Sequence, residues 1–310
     1  MHGDSPLKHQ PLSVAITALA PLTWGTTYLV TTEFLPPNRP MLAGCLRALP
    51  AGIALAMVHR VRPSGTWWLR ASALGVLNIG GFFALLFVAA YRLPGGIAAT
   101  LGAIQPLLAA WLAAGLIGER VRRGTVVAGV TGLIGVALLV MRPGARLDGV
   151  GIAAGLGAAT SMALGVVLTK RWGRPVDLLT FTSWQLISGG LFLLPFVVFI
   201  EGVPASLSLT NVAGYAWLAS IGGAIAYAVW FRGIGVLPIA QVTILGLFSP
   251  LMAGLLGWAV LDQSLRSTQL IGMAAILAAV GIAQTRTTNN TNQPASSSPR
   301  PNTTLEVIAP

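Results

Sequence analysis

Gly102-Ala103-Ile104-Gln105-Pro106-Leu107-Leu108 and Gly246-Leu247-Phe248-Ser249-Pro250-Leu251-Met252 share one pattern: a glycine, a polar residue before proline, then two large apolar side chains, 144 residues apart. At the same offset Leu93-Pro94 falls on Leu237-Pro238, and Phe83 and Phe87 fall on Tyr227 and Phe231. A one-residue gap then places Glu119 over Asp262 and Gly129 over Gly272. Any two apolar segments can be aligned somewhere, which is the competing reading. Matches that keep one order along the chain favour duplication of a common unit.

The unit is apolar. Of 310 residues 55% are hydrophobic and 9% charged, with a mean hydropathy of +0.77, whereas a soluble domain carries roughly 25% charged residues. Stretches long enough to cross a hydrocarbon core as a helix recur along the chain, near 12–32, 40–59, 68–90, 94–117, 124–141, 149–169, 178–200, 211–231, 237–260 and 268–284. They lack the alternation of barrel strands, and only helices or closed barrels satisfy a backbone in lipid. The expected fold is therefore an all-α membrane protein of ten transmembrane helices. Its divisions are a cytoplasmic tail 1–11, a first five-helix repeat 12–141, a second 149–284 and a disordered tail 285–310 rich in Asn, Thr, Ser and Pro.

Basic residues set the orientation, because Lys and Arg loops stay cytoplasmic. With the N-terminus inside, the inner segments hold Lys8, Arg60, Arg62, Arg70, Arg120, Arg122, Arg123, Lys170, Arg171, Arg174, Arg232, Arg286 and Arg300; the outer ones hold Arg39, Arg92, Arg142, Arg146 and Arg266. Both termini are expected in the cytoplasm of a bacterial cell whose inner membrane holds the chain. Five spans being an odd number, the second repeat must enter inverted, and such repeats place a substrate site near the midplane. The net charge of +11 thus reports topology, and no basic face with interleaved aromatics suggests nucleic acid. Ala18-Leu19-Ala20 resembles a signal-peptidase site, but Pro21 and the apolar run to Val30 make this stretch the first helix. Cys45, the only cysteine, lies in an apolar run and reads as a small buried hydrophobe.

Trp24-Gly25 in helix 1, Arg47 in helix 2, the prolines of helices 4 and 9, and Gly118-Glu119 followed by Gly129 together resemble the drug/metabolite transporter superfamily, EamA branch. Within it the chain is similar to bacterial exporters of aromatic and other neutral amino acids. The resemblance covers about residues 12–284. It implies a helix-2 arginine in the position of Arg47, and Asp262-Gln263 stands where such proteins often carry Glu.

Several residues are candidates for the transport path. Pro106 and Pro250 leave the carbonyls of Gly102 and Gly246 without helical partners, so these four residues are candidate hinges or gates, or kinks that only shape the bundle. Gln105 and Ser249 precede the prolines and offer polar groups to a cavity. Arg47 is the only basic residue well inside a span, where a guanidinium costs about 3 kcal/mol to insert; it either meets a substrate carboxylate or snorkels outward. Trp24 and Tyr28, Phe83 with Phe87 and Tyr91, and Tyr227 with Phe231 form aromatic faces, with Phe82 a further candidate beside Phe83; such stripes either pack or meet lipid, or line a pocket. Joined by Asn78, Trp184 and Gln185 they would make an apolar pocket with a few directing polar groups.

All eight acidic residues (Asp4, Glu33, Glu119, Asp148, Asp177, Glu201, Asp262 and Glu306) fall in tails, loops or span ends. Proton or sodium coupling usually uses an intramembrane ionisable group, so facilitated transport or exchange is expected. His2, His9 and His59 lie outside the spans, which argues against an enzyme needing a base or metal ligands at depth. The expected function is export of neutral, aromatic or branched apolar amino acids by alternating access, without cofactor or metal. The alternative is export of other small metabolites or drugs. The expected partners are a small-molecule substrate and the lipid bilayer. With Cys45 replaced, a thiol introduced at Gly144 should react with an impermeant reagent from the periplasm and one at Trp172 only from the cytoplasm; the opposite pattern would invert the topology.

Overall fold

The computed structural model describes residues 10–92, 100–140, 148–262 and 264–288, apart from the side chains of Tyr28, Ala90, Tyr91 and residues 285–288. Ten helices long and apolar enough to cross a membrane run through them. They are α1 (Gln10–Phe34), α2 (Pro40–His59), α3 (Trp67–Ala89), α4 (Thr100–Ile117), α5 (Arg123–Val140), α6 (Gly149–Trp172), α7 (Leu178–Glu201), α8 (Leu209–Val236), α9 (Ile239–Val260) and α10 (Ser267–Gln284). Among the described residues there is no strand. Each span read from the sequence corresponds to one helix. Helical backbone is described from Gln10 in α1 and as far as Thr288 beyond α10, a few residues outside the spans near 12–32 and 268–284. Residues 1–9 and 289–310, the Leu93-Pro94 pair and Gln263 lie outside the described residues.

Acidic side chains are spent on helix ends, where the first amides of a helix lack partners. Asp148 accepts from the Gly151 amide at 2.7 Å at the start of α6. Asp177 accepts from the Leu179 and Thr180 amides, both at 3.0 Å, and from the Thr180 hydroxyl; these bonds hold its carboxyl below the usual range. Helix α2 has no cap of its own at Arg39. Glu201 supplies it from the end of α7, accepting from the Met41 and Leu42 amides at 2.6 and 2.8 Å.

The packing shows the inverted duplication directly. Helix α3 packs on α6 as α8 packs on α1, and α4 packs on α6 as α9 packs on α1; α2 pairs with α7, and α5 with α10. Each contact therefore has its counterpart when the repeats are exchanged. A further correspondence was not foreseen: α3 and α8 each contain a π turn, Val76–Gly80 and Ser220–Ile225, whose first residues are again 144 apart. At the paired prolines both helices tighten to three-residue turns, with the Ile104 amide donating to Leu101 and the Leu247 amide to Ile244.

Small residues set how closely the helices approach. A Cβ at Gly135 would lie 2.9 Å from the Gly272 carbonyl, and one at Gly272 would lie 2.6 Å from that of Gly135, so α5 and α10 cross backbone to backbone. Gly155, from the Gly151-Ile152-Ala153-Ala154-Gly155 stretch, packs on Leu101 and Ala89 within the bundle. Gly135→Leu should destabilise the detergent-purified protein by about 1–3 kcal/mol, read as a lowered Tm, while Gly115→Leu, where a side chain meets open space, should leave Tm near wild type. Equal Tm values would remove the close-crossing argument.

Candidate substrate cavity

A cavity of about 450 Å³ lies between the repeats. It is bounded by Trp24 and Thr27 of α1, Gly44 and Arg47 of α2, Phe82, Phe83 and Phe87 of α3, and Gly102, Gln105 and Pro106 of α4. Met162 of α6, Tyr227 and Trp230 of α8, and Gly246, Ser249 and Pro250 of α9 complete it. The residues from α1 to α4 come from the half of the bundle away from the basic face.

Arg47 is 4% exposed. Its Nε and Nη2 donate to the Gly222 carbonyl at 3.2 and 2.9 Å, and Nη1 donates to Thr27 Oγ1 at 3.4 Å. The guanidinium carbon lies 6.0, 5.4 and 5.8 Å from the rings of Trp24, Phe83 and Tyr227, an aromatic surround that attracts a cation. The side chain is thus turned into the bundle and does not snorkel. Among the described residues no carboxylate pairs with it. A guanidinium carries five N–H groups; three are used, which leaves one on each Nη.

The Gly222 carbonyl is available because of the π turn. In an α-helix the Ala226 amide would take it, but that amide donates to Ile221 and Gly223 instead. Trp24 Nε1 donates to the same oxygen at 3.0 Å, so one freed carbonyl orients both the arginine and its indole neighbour. Gly223 must be glycine: a Cβ there would lie 2.5 Å from the Arg47 carbonyl.

The structure brings Trp24, Arg47, Phe82, Phe83, Gln105, Tyr227 and Ser249 together, with all four proline-turn residues Gly102, Pro106, Gly246 and Pro250. The Gly246 carbonyl, however, is taken by the Ser249 amide at 3.0 Å, because the tightened turn replaces the bond that proline removed. The Tyr28 side chain lies outside the described residues. Asn78, Trp184 and Gln185 are not on the cavity wall. Trp184 donates to the Val61 carbonyl at 2.9 Å beside the basic-face loop. Asn78 Nδ2 donates to Gln185 Oε1 at 2.8 Å and to Thr169 Oγ1 at 3.1 Å, forming a buried cluster of its own. Trp230, packed 5.2 Å from Trp24, and Gly222 were missed; only the glycine pair at 222 and 223 hinted at a backbone feature there.

On the basic face Glu119, Lys170 and the turn between α8 and α9 are pinned together. Lys170 Nζ meets Glu119 Oε1 at 2.8 Å and donates to the Leu237 carbonyl at 2.7 Å; the Ile239 amide donates to Glu119 Oε2 at 3.1 Å. One ion pair thereby ties the end of α4, the end of α6 and the α8–α9 turn.

Residues 12–141 and 149–284 match the model of the EamA-like transporter family. The chain belongs to that family. It is 48% identical to Protein PecM of Dickeya dadantii (strain 3937) over 86% of this chain and 90% of that protein. It is 27% identical to the uncharacterized inner membrane transporter YedA of Escherichia coli (strain K12), over 87% and 89%. A solved crystal structure at 22% identity shares the fold with a TM-score of 0.76, covering 92% of this chain and 100% of its own. With its ten apolar helices, the chain is a multi-pass membrane transporter of this family. In the purified protein, Lys170→Met should lengthen the distance between spin labels at positions 122 and 236; an unchanged distribution would deny the Glu119–Lys170 pair a closing role.

Proposed function

We propose that this transporter exports neutral amino acids with aromatic or branched apolar side chains across a bacterial inner membrane, by alternating access and without ion coupling. The observation that carries the reading is Arg47: a buried cation with no acidic partner among the described residues, one N–H on each Nη left over, at the wall of an aromatic cavity. A carboxylate is the planar partner a guanidinium fits best. Phe83, Tyr227 and Trp230 suit an apolar or aromatic side chain, and 450 Å³ lies within the range of small-molecule sites, about 300–1,000 Å³.

Among the described residues the cavity wall includes no Asp, Glu, His or Lys. A proton or sodium relay has no carboxylate to use there, which supports a facilitator or exchanger. The same absence supports transport over catalysis, since the wall offers neither a general base nor a set of metal ligands. Orientation with both termini in the cytoplasm rests on the distribution of Lys and Arg between the two faces.

Liposomes holding the purified protein should take up labelled aromatic or aliphatic amino acids saturably, and uptake should persist when proton and sodium gradients are collapsed. Arg47→Gln should raise the KM at least tenfold, in line with about 1.5–3 kcal/mol for a charged hydrogen bond. Movement of a cationic dye or a nucleoside with no amino acid moved would discard the substrate assignment. A strict gradient requirement would discard the facilitator reading.

A further inference from the structure

The exchange of repeats that relates α3 to α8 also relates the Arg47 site to a second place in the bundle. Arg47 is the eighth residue of α2 and Gln185 the eighth of α7. Arg47 bonds to Gly222 in the α8 π turn; Gln185 bonds to Asn78 in the α3 π turn, and residues 78 and 222 are 144 apart. One turn further on, Gly223 closes on Ala51 and the Arg47 carbonyl, while Gly189 closes on Ile79. The third member also corresponds. Trp24 of α1, first helix of its repeat, bonds to Gly222, and Thr169 of α6, first helix of the other, bonds to Asn78.

The two junctions differ in surroundings. The Arg47 junction lines the cavity, whereas Asn78, Gln185 and Thr169 are 1%, 0% and 3% exposed. They lie about one helical turn from Phe82 at the cavity wall, toward the basic face. Two polar atoms of the buried junction have no partner, Asn78 Oδ1 and Gln185 Nε2. Exchanging nitrogen and oxygen in both amides would move this open donor and open acceptor without removing them. Leaving such atoms dry is unfavourable, a cost that a state with solute at the junction would relieve.

Resting on the transport reading above, we propose that Asn78 and Gln185 form the solute contact of the opposite state, open to the basic face. The junction takes a neutral head group that offers one donor and one acceptor, such as the ammonium and carboxylate of an amino-acid zwitterion or a carboxamide. In that state the Arg47 junction is the closed one. The Glu119–Lys170 pair lies at the basic end of α6, with Lys170 next to Thr169, and holds the route to the new site shut in the present state. A duplicated transporter of this kind presents two chemically different faces to one solute: a cationic junction on one side and an uncharged amide pair on the other.

The test has two arms in a Cys45→Ser background. In the first, Thr169→Cys is treated with an impermeant methanethiosulfonate reagent from each side of oriented vesicles. Reaction from the basic face only, accelerated at least fivefold by Glu119→Gln, is expected; no reaction from that face in either protein overturns the proposal whatever the substrate is. In the second, L-phenylalanine is the probe and its KM is measured separately from each face for Asn78→Ser and for the near-isosteric Gln185→Met. The proposal expects a rise of about fivefold or more from the basic face with the other face within twofold. Equal shifts on both faces, the mark of a merely structural pair, overturn it. If wild-type protein moves no L-phenylalanine, the amino-acid reading fails, and the labelling arm decides the site alone.

Discussion

A guanidinium inside a membrane needs acceptors that hydrocarbon cannot provide, and Arg47 finds its main one in a backbone carbonyl released by a π turn in another repeat. Much of the central geometry depends on that bond. It requires α2 and α8 to touch at glycine distance, which Gly223 permits. It draws the Trp24 indole to the same oxygen, and it places three aromatic faces around the charge. An acidic partner would neutralise the arginine within the protein. The carbonyl and the rings hold it while leaving its charge for something else.

Inversion of the duplicated unit places a related junction on the other side of the midplane, and divergence has made the two unlike. Repeat 1 carries a side chain, Asn78, where repeat 2 carries the bare backbone of Gly222; repeat 2 carries an amide, Gln185, where repeat 1 carries the guanidinium of Arg47. The π turns themselves persist. In α3 the Gly81 amide donates to Val76, which releases the Leu77 carbonyl to the Ser161 hydroxyl at 2.9 Å. A mid-helix break that survives in both copies keeps a carbonyl free at each of two inter-repeat contacts, a role that ordinary α-helix cannot fill.

Much of this was legible in the sequence, for identifiable reasons. Lipid forces helices of a fixed minimum length, so ten apolar runs gave ten helices, and the paired prolines located the broken turns because proline cannot donate. Arg47 stood out through its cost of insertion. The π turns were not legible, since an extra residue in a helical turn leaves no mark in composition. The α3 π turn sets where Asn78 points, and Gln185 bonds to Asn78 while Trp184 reaches the basic loop, so none of the three lies on the cavity wall. The Glu119–Lys170 pair was also hidden, because its members are 51 residues apart in number and only the packing of α4 on α6 brings them together.

The difference between the junctions bears on direction. A carrier without ion coupling cannot move solute against its gradient, so any difference in affinity between its two open states appears as an equal shift of the conformational equilibrium toward the tighter state once solute is bound. If Arg47 binds a carboxylate more tightly than the amide pair binds the same head group, loading favours the state in which Arg47 faces the cavity. In the structure Arg47 lies on the cavity wall while Glu119 and Lys170 tie α4, α6 and the α8–α9 turn together on the basic face. Solute taken from the basic side would then be carried toward the far side by its own binding energy, and its release there would be the slow step. Weakening Arg47 would thus speed release even as it weakens binding, so the maximal rate and the KM of an Arg47 variant need not fall and rise together.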